Sequence, residues 1–256
     1  MWRSGSGVLV GAAFVFLACP ARSQEQPLAL VTDRPSFSES SATVPQGHLQ
    51  LEFGLEYSHT RETETASAIF PMLRYGLTEG TEIRIGIPSI AWQFPDEGAK
   101  QTDLGRLCVG MKFVYPLGDW GAVGLSPFGL FPLKNSDYDS LGVAAGLRLV
   151  WEVRLLDWLG LAGNLAVVFE GLGTASARDE SFWASLLWGF SLTDTIGLFA
   201  EAYSTISRMH AEDSPVFANG GLSWRVIERL QLDAYLGVDL NAPEHLVCGL
   251  GASFIW

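Results

Sequence analysis

Leu49-Gln50-Leu51-Glu52-Phe53-Gly54-Leu55-Glu56-Tyr57-Ser58 decides the fold. Leu49, Leu51, Phe53, Leu55 and Tyr57 share one face of an extended chain, and Gln50, Glu52, Gly54, Glu56 and Ser58 share the other. Period-two alternation is the mark of a β-strand with two different surroundings. The last strand repeats it: Leu246, Cys248, Leu250, Ala252, Phe254 and Trp256 fall on one face, and Trp256 ends the chain. Between them the pattern recurs, giving expected strands over about 47–58, 66–76, 81–91, 104–115, 120–132, 141–154, 158–170, 181–192, 195–204, 216–226, 229–239 and 246–256.

The connections sort by length. Leu77–Gly80, Pro116–Asp119, Leu155–Asp157, Thr193–Asp194 and Ile227–Glu228 are short and rich in turn formers. His59–Thr65, Trp92–Asp103, Leu133–Ser140, Gly171–Glu180, Thr205–Pro215 and Asn241–His245 are longer. Tight periplasmic turns alternating with longer extracellular loops, on an even number of strands, describe a transmembrane antiparallel β-barrel of about 12 strands. A soluble sandwich or lipocalin-like barrel also alternates, but the order of connections and the aromatic end favour the membrane barrel. Pro127 and Pro132 weaken the fifth strand, because proline removes a ladder donor.

The chain has 256 residues and is 48% hydrophobic, yet after the N-terminus no apolar run reaches the ~18 residues of a membrane-spanning helix. Residues 1–23 read as a signal peptide, with Arg3, an apolar Val8–Cys19 and Ala21-Arg22-Ser23, so cleavage is expected after Ser23. A lipoprotein site at Cys19 is the competing reading, and Phe16 and Leu17 fit it poorly. Residues 24–46, with Pro27, Pro35 and Pro45, read as a periplasmic or plug-like segment, and 47–256 as the barrel. Cys108 is expected to face the lumen and Cys248 lipid, which argues against a disulfide. Removing Arg3 and Arg22 leaves 14 basic against 28 acidic residues, a net charge of −14, so nucleic acid is not an expected partner.

Thr32-Asp33-Arg34-Pro35-Ser36-Phe37-Ser38-Glu39-Ser40, followed by Val44-Pro45-Gln46-Gly47-His48, resembles the opening of the outer-membrane transporter family of the MetA-pathway of phenol degradation type. Leu73-Arg74-Tyr75-Gly76-Leu77-Thr78, Glu82-Ile83-Arg84-Ile85-Gly86, Phe199-Ala200-Glu201, Leu230-Gln231-Leu232-Asp233 and Gly249-Leu250-Gly251-Ala252-Ser253-Phe254 extend the resemblance over most of the chain. It implies a barrel of the bacterial outer membrane and uptake of small, aromatic or hydrophobic molecules. It assigns no functional residues beyond the family motif Thr32, Asp33, Arg34 and Pro35.

Alternation places Glu52, Glu56, Arg84, Arg106, Lys112, Arg148, Glu152, Glu201, Arg225, Asp233 and Asp239 in the lumen, since a Lys or Arg facing mid-bilayer lipid costs roughly 2–4 kcal/mol. They are candidates for a transport track, or pair across strands and fill the interior. Glu201 and Asp233 stand out, with an ion pair to Arg225 as the alternative. Arg34 and Asp33 either dock onto barrel charges or belong to a solvated tail. Phe70, Phe199, Tyr203 and Tyr235 are candidate lumen aromatics.

The four histidines, His48, His59, His210 and His245, lie at strand ends or in loops with no serine placed for nucleophilic attack, so an outer-membrane lipid hydrolase is the weakest reading and no enzyme activity is expected. No His/Cys spacing suits a metal, and no cofactor is implied. The expected function is a channel for small solutes, the alternative a non-conducting structural barrel. The expected partners are outer-membrane lipids, the barrel assembly machinery (through Phe254 and Trp256) and an unidentified solute.

Overall fold

A computed structural model describes residues 30–133, 142–172, 179–209, 211 and 214–256, without the side chains of Ile69 and Phe70. The expected signal peptide, Cys19, His210, the side chain of Phe70 and the tips of three expected loops lie outside the described residues.

The strands are β1 (Leu49–His59), β2 (Thr63–Thr78), β3 (Thr81–Gly86), β4 (Ile90–Pro95), β5 (Gln101–Leu104), β6 (Leu107–Pro116) and β7 (Gly121–Phe131). They continue as β8 (Val143–Leu156), β9 (Leu159–Leu172), β10 (Asp179–Ser191), β11 (Ile196–Ser207), β12 (Val216–Ile227), β13 (Leu230–Asp239) and β14 (Leu246–Ile255). All pairings between them are antiparallel, and β1 pairs with both β14 and β2, which closes the barrel. Closure leaves no backbone edge to face lipid.

Two barrel strands are each in two pieces. β2 pairs with β3 and then with β4, while β6 pairs with β3 and β5 with β4. The wall therefore has twelve strands. The sequence suggested unbroken strands at 81–91 and 104–115; instead Pro88 has no donor, and the ladder is held across the break by Gly105 N–H donating to Ser89 O at 2.8 Å. Pro127 remains within β7 and pairs toward β8, but the β6–β7 register skips from Gly110↔Phe128 to Phe113↔Leu125. The missing donor opens one side of the ladder without ending the strand.

Alternation sorts the side chains as lipid and lumen require. Leu55, Leu165, Leu236 and Leu250 are more than half exposed on the outside. Tyr115, Trp120, Trp158, Trp224 and Trp256 ring the short-turn end, and Tyr57, Trp92, Phe131, Phe169 and Phe182 the loop end. Such belts sit at the two membrane interfaces. Inside lie Gln50, Glu52, Arg74, Glu82, Arg84, Lys112, Asn164, Glu201 and Asp233, all buried. A polar lumen would normally be wet; burial to this degree means that something fills it.

Candidate functional site

The chain before β1 fills it. Gly76 admits the segment, because a Cβ there would run into the carbonyl oxygens of Val44 and Pro45. Gln46 forms a parallel bridge to Gly76, and Gly47 N–H donates to Gly76 O at 2.8 Å. From this anchor, traced backwards, residues 30–45 cross the lumen and contact β1, β2, β3, β6, β8, β9, β10, β11 and β13.

Arg34 lies over a slot made by three strands. Gly54 faces Gly251 across β1–β14, and Gly251 faces Asp233 across β13–β14. A Cβ on either glycine would collide with the Arg34 guanidinium. The guanidinium crosses both and reaches Asp233 Oδ1 at 3.1 Å. Beside it, Thr32 Oγ1 donates to Arg34 O at 2.9 Å and accepts from Gln231 Nε2 at 2.9 Å. The Arg34–Pro35 peptide bond is cis.

Asp33 holds the opposite wall. Its carboxylate meets Arg84 at 2.6 Å, Lys112 at 3.1 Å and Arg74 at 3.5 Å, and its Oδ1 accepts from Ser40 N–H at 2.8 Å, closing residues 33–40 into a loop. Arg74 in turn donates to Glu52 at 2.6 Å, Glu82 at 2.9 Å and the Val31 carbonyl at 2.8 Å. Burial raises the cost of charging Asp33, but Arg74, Lys112 and Arg84 outweigh it and hold its carboxyl well below the ordinary carboxylate range.

The tip of the loop reaches the far side. Phe37 and Ser38 N–H groups donate to Glu201 at 2.8 and 2.7 Å, and the Ser38 and Ser185 hydroxyls stand 2.7 Å apart. Asn164 accepts from Glu39 N–H at 2.7 Å and donates to Glu39 O at 3.0 Å. The Glu39 carboxylate bridges Arg84 and Arg148. Burial opposes its charge, yet Arg148 and Arg84 bring its pKa down to about 2. Phe37 stacks on Tyr203 at 4.3 Å, and Tyr203 on Phe217 at 5.1 Å.

Of the lumen residues read from alternation, Glu52, Arg84, Lys112, Arg148, Glu201 and Asp233 are gathered around this segment. Glu56 accepts from the Tyr235 hydroxyl above it. Arg106 forms a two-pronged pair with Glu170 at 2.6 and 3.1 Å. Asp239 caps the β12–β13 loop end through Val216 N–H at 3.2 Å, and Glu152 lines the cavity at the short-turn end. Phe199, Tyr203 and Tyr235 are half-buried on inward positions. Cys108 is half-buried on the lumen side and Cys248 exposed on the outside.

Arg225 corrects one expectation. It pairs across strands with Gln231, below the row of Asp233, and donates to the Asp194 carbonyl in the next turn. Glu201 and Asp233 are met by the N-terminal segment instead. Arg74, Glu82, Asn164 and Glu39 were not singled out. Arg74 and Glu82 carried a readable signal, since both sit on inward phases of their strands and face Gln50 and Gly76 across the ladder.

Two cavities flank the segment. One of about 340 Å³ lies on the loop side, between Arg84, Arg106, Arg148, Phe128 and Trp183. One of about 780 Å³ lies on the short-turn side, along Ser41–Thr43 and the inner faces of β8 to β11. Among the described residues no group of His, Cys, Asp and Glu has the arrangement of a metal site.

A family model with the description "Putative MetA-pathway of phenol degradation" matches residues 32–249, beginning within the lumen segment. An outer membrane channel from Pseudomonas putida F1 superposes with a TM-score of 0.62 at 15% identity, over 87% of this chain and 100% of that one. The KdgM porin in complex with disordered oligogalacturonate gives 0.53 at 8% identity, over 80% and 98%. These likenesses show the fold. No curated protein matches the chain. The closed wall, the apolar belt with its aromatic rims and the shared fold are those of a bacterial outer-membrane barrel.

Proposed function

Because the chain belongs to the family described by the MetA-pathway of phenol degradation, we propose that it is an outer-membrane passage for small, largely aromatic molecules, closed at rest by its own N-terminal segment. One observation carries the reading. The barrel cross-section is filled by residues 31–44, held through side-chain and backbone hydrogen bonds and ion pairs, with open cavities on both sides. A wall that only needed filling would use its own side chains, as barrels of about eight strands do. Here the filler is a separate stretch of chain that joins the wall's ladder only at its root. It can leave without breaking a strand pairing.

The second reading is a sealed structural barrel. The density of buried ion pairs at Asp33, Arg74, Glu82 and Arg84 favours it, since such networks fix one geometry. Flux separates the two. Proteoliposomes containing the full chain should admit small aromatic solutes slowly, and Asp33→Asn, which loosens three cations from the segment, should admit them faster. Equal, background-level flux for both proteins would leave the sealed barrel.

A further inference from the structure

We propose that the loop-side cavity is a binding site for a small aromatic monocarboxylate, with Arg148 as its anion-binding residue. The cavity's volume, about 340 Å³, suits a ligand of one ring. Its wall is aromatic where Phe128 and Trp183 stack at 5.8 Å. Arg148 lies against both rings, its guanidinium carbon 5.6 Å from the Phe128 centroid and 5.4 Å from that of Trp183. The rings hold the guanidinium plane in place.

Arg148 is only partly used. Nη1 serves Glu39, while Nε and Nη2 have no hydrogen-bond partner among the described residues and are not sealed off. The side chain is 12% exposed, and that opening is the cavity. A guanidinium edge with two unspent donors matches the two oxygens of a carboxylate. Arg84 and Arg106 also line the cavity, but Asp33 and Glu170 already pair with them, so Arg148 is the guanidinium that carries the contact. A ring attached to the carboxylate would lie on the aromatic wall and Leu130. A small aliphatic acid would gain the charge contact without the ring contact, and an aromatic alcohol the reverse.

The proposal rests on the passage reading only for its biological sense, and its test does not require passage. Equilibrium dialysis of labelled benzoate against the folded full-length barrel in detergent, with empty micelles as the blank, should show one saturable site at neutral pH. Acetate, benzyl alcohol and inorganic phosphate should compete poorly. Arg148→Gln should weaken binding by roughly tenfold to a hundredfold, the range of one charged hydrogen-bonded contact. Glu39→Gln should strengthen binding, because it frees the remaining donor of Arg148. A variant that merely damaged the barrel would weaken both. Absence of saturable binding, equal binding of benzyl alcohol or phosphate, or no response to either substitution would overturn the site. Benzoate that binds but does not cross a proteoliposome membrane would keep the site and remove the passage; benzoate that crosses without saturable binding would do the opposite.

Discussion

Gly251→Ala should release the N-terminal segment while leaving the barrel wall intact. Alanine is accommodated by a strand, so β14 keeps its pairing to β1 and β13. The new methyl group, however, falls inside the Arg34 guanidinium, which must leave the slot. Asp233, whose side chain has no exposure, then loses the cation it faces. Breaking a buried pair so that one charge stays behind costs about 3–5 kcal/mol. Water enters as the segment shifts, so the lower figure applies, and about 3 kcal/mol lowers the docking equilibrium by roughly a hundredfold. A glutamyl endopeptidase reads this equilibrium. It cuts after Glu39, which is held between Arg84 and Arg148 in the docked state. Cleavage of an opened segment follows its population when reclosing is fast. The cutting rate at Glu39 should rise about a hundredfold in Gly251→Ala. Arg34→Ala should raise it similarly, and the double variant no further, because both changes remove one contact. An unchanged rate in Gly251→Ala, or additive effects in the double variant, would refute the idea that the glycine slot exists to seat Arg34.

Acid should undock the segment. Asp33 and Glu39 are both held below their ordinary pKa, so their contribution is fully present above the free values of 3.8 and 4.5 and is lost as pH falls below them, for Glu39 through about 2 and for Asp33 further into acid. Pepsin should begin to cut near Phe37 only within that acid window, and cutting already at pH 5 would contradict the sign. On the lipid face, Leu55→Arg, at a side chain 64% exposed, should cost insertion about 2–4 kcal/mol, whereas Ser58→Arg on an inward position should be tolerated; equal yields of heat-modifiable barrel would count against the orientation. Deleting Trp256 removes the two hydrogen bonds, 2.9 and 3.0 Å, that join it to Leu49 at the barrel seam, and a packed ring 5.6 Å from Phe254. The amount of folded barrel in the outer membrane should drop, and normal levels would sink that role.

The wall was legible because its physics is local. A residue such as Leu55 or Glu56 declares its side by period two alone, and register follows once turns such as Thr193–Asp194 are placed. The site was half legible. Asp233 and Glu201 could be placed in the lumen, but their partners could not, because Arg34 and Ser38 lie 199 and 163 residues away in sequence. The choice of Arg225 as partner failed for a local reason: its neighbour across the ladder is Gln231, and its guanidinium finds a turn carbonyl first. Glu39 escaped notice because the segment before β1 has no periodicity to say which way a side chain points. The glycines Gly54 and Gly251 carried the missing information, since an inward glycine pair on neighbouring strands marks space kept for another side chain.

The claim that the segment is a movable closure is tested most directly by fixing it. Ser38 and Ser185 hydroxyls stand 2.7 Å apart, one on the loop tip and one on β10, so Ser38→Cys with Ser185→Cys can form a bond of about 2.05 Å in their place. With Cys108 and Cys248 replaced by Ser, solute flux through proteoliposomes is measured before and after adding a reductant. No flux is expected while the disulfide holds, and wild-type flux once it is reduced. The same flux in both states, or none in either while the protein is folded, would contradict a movable closure.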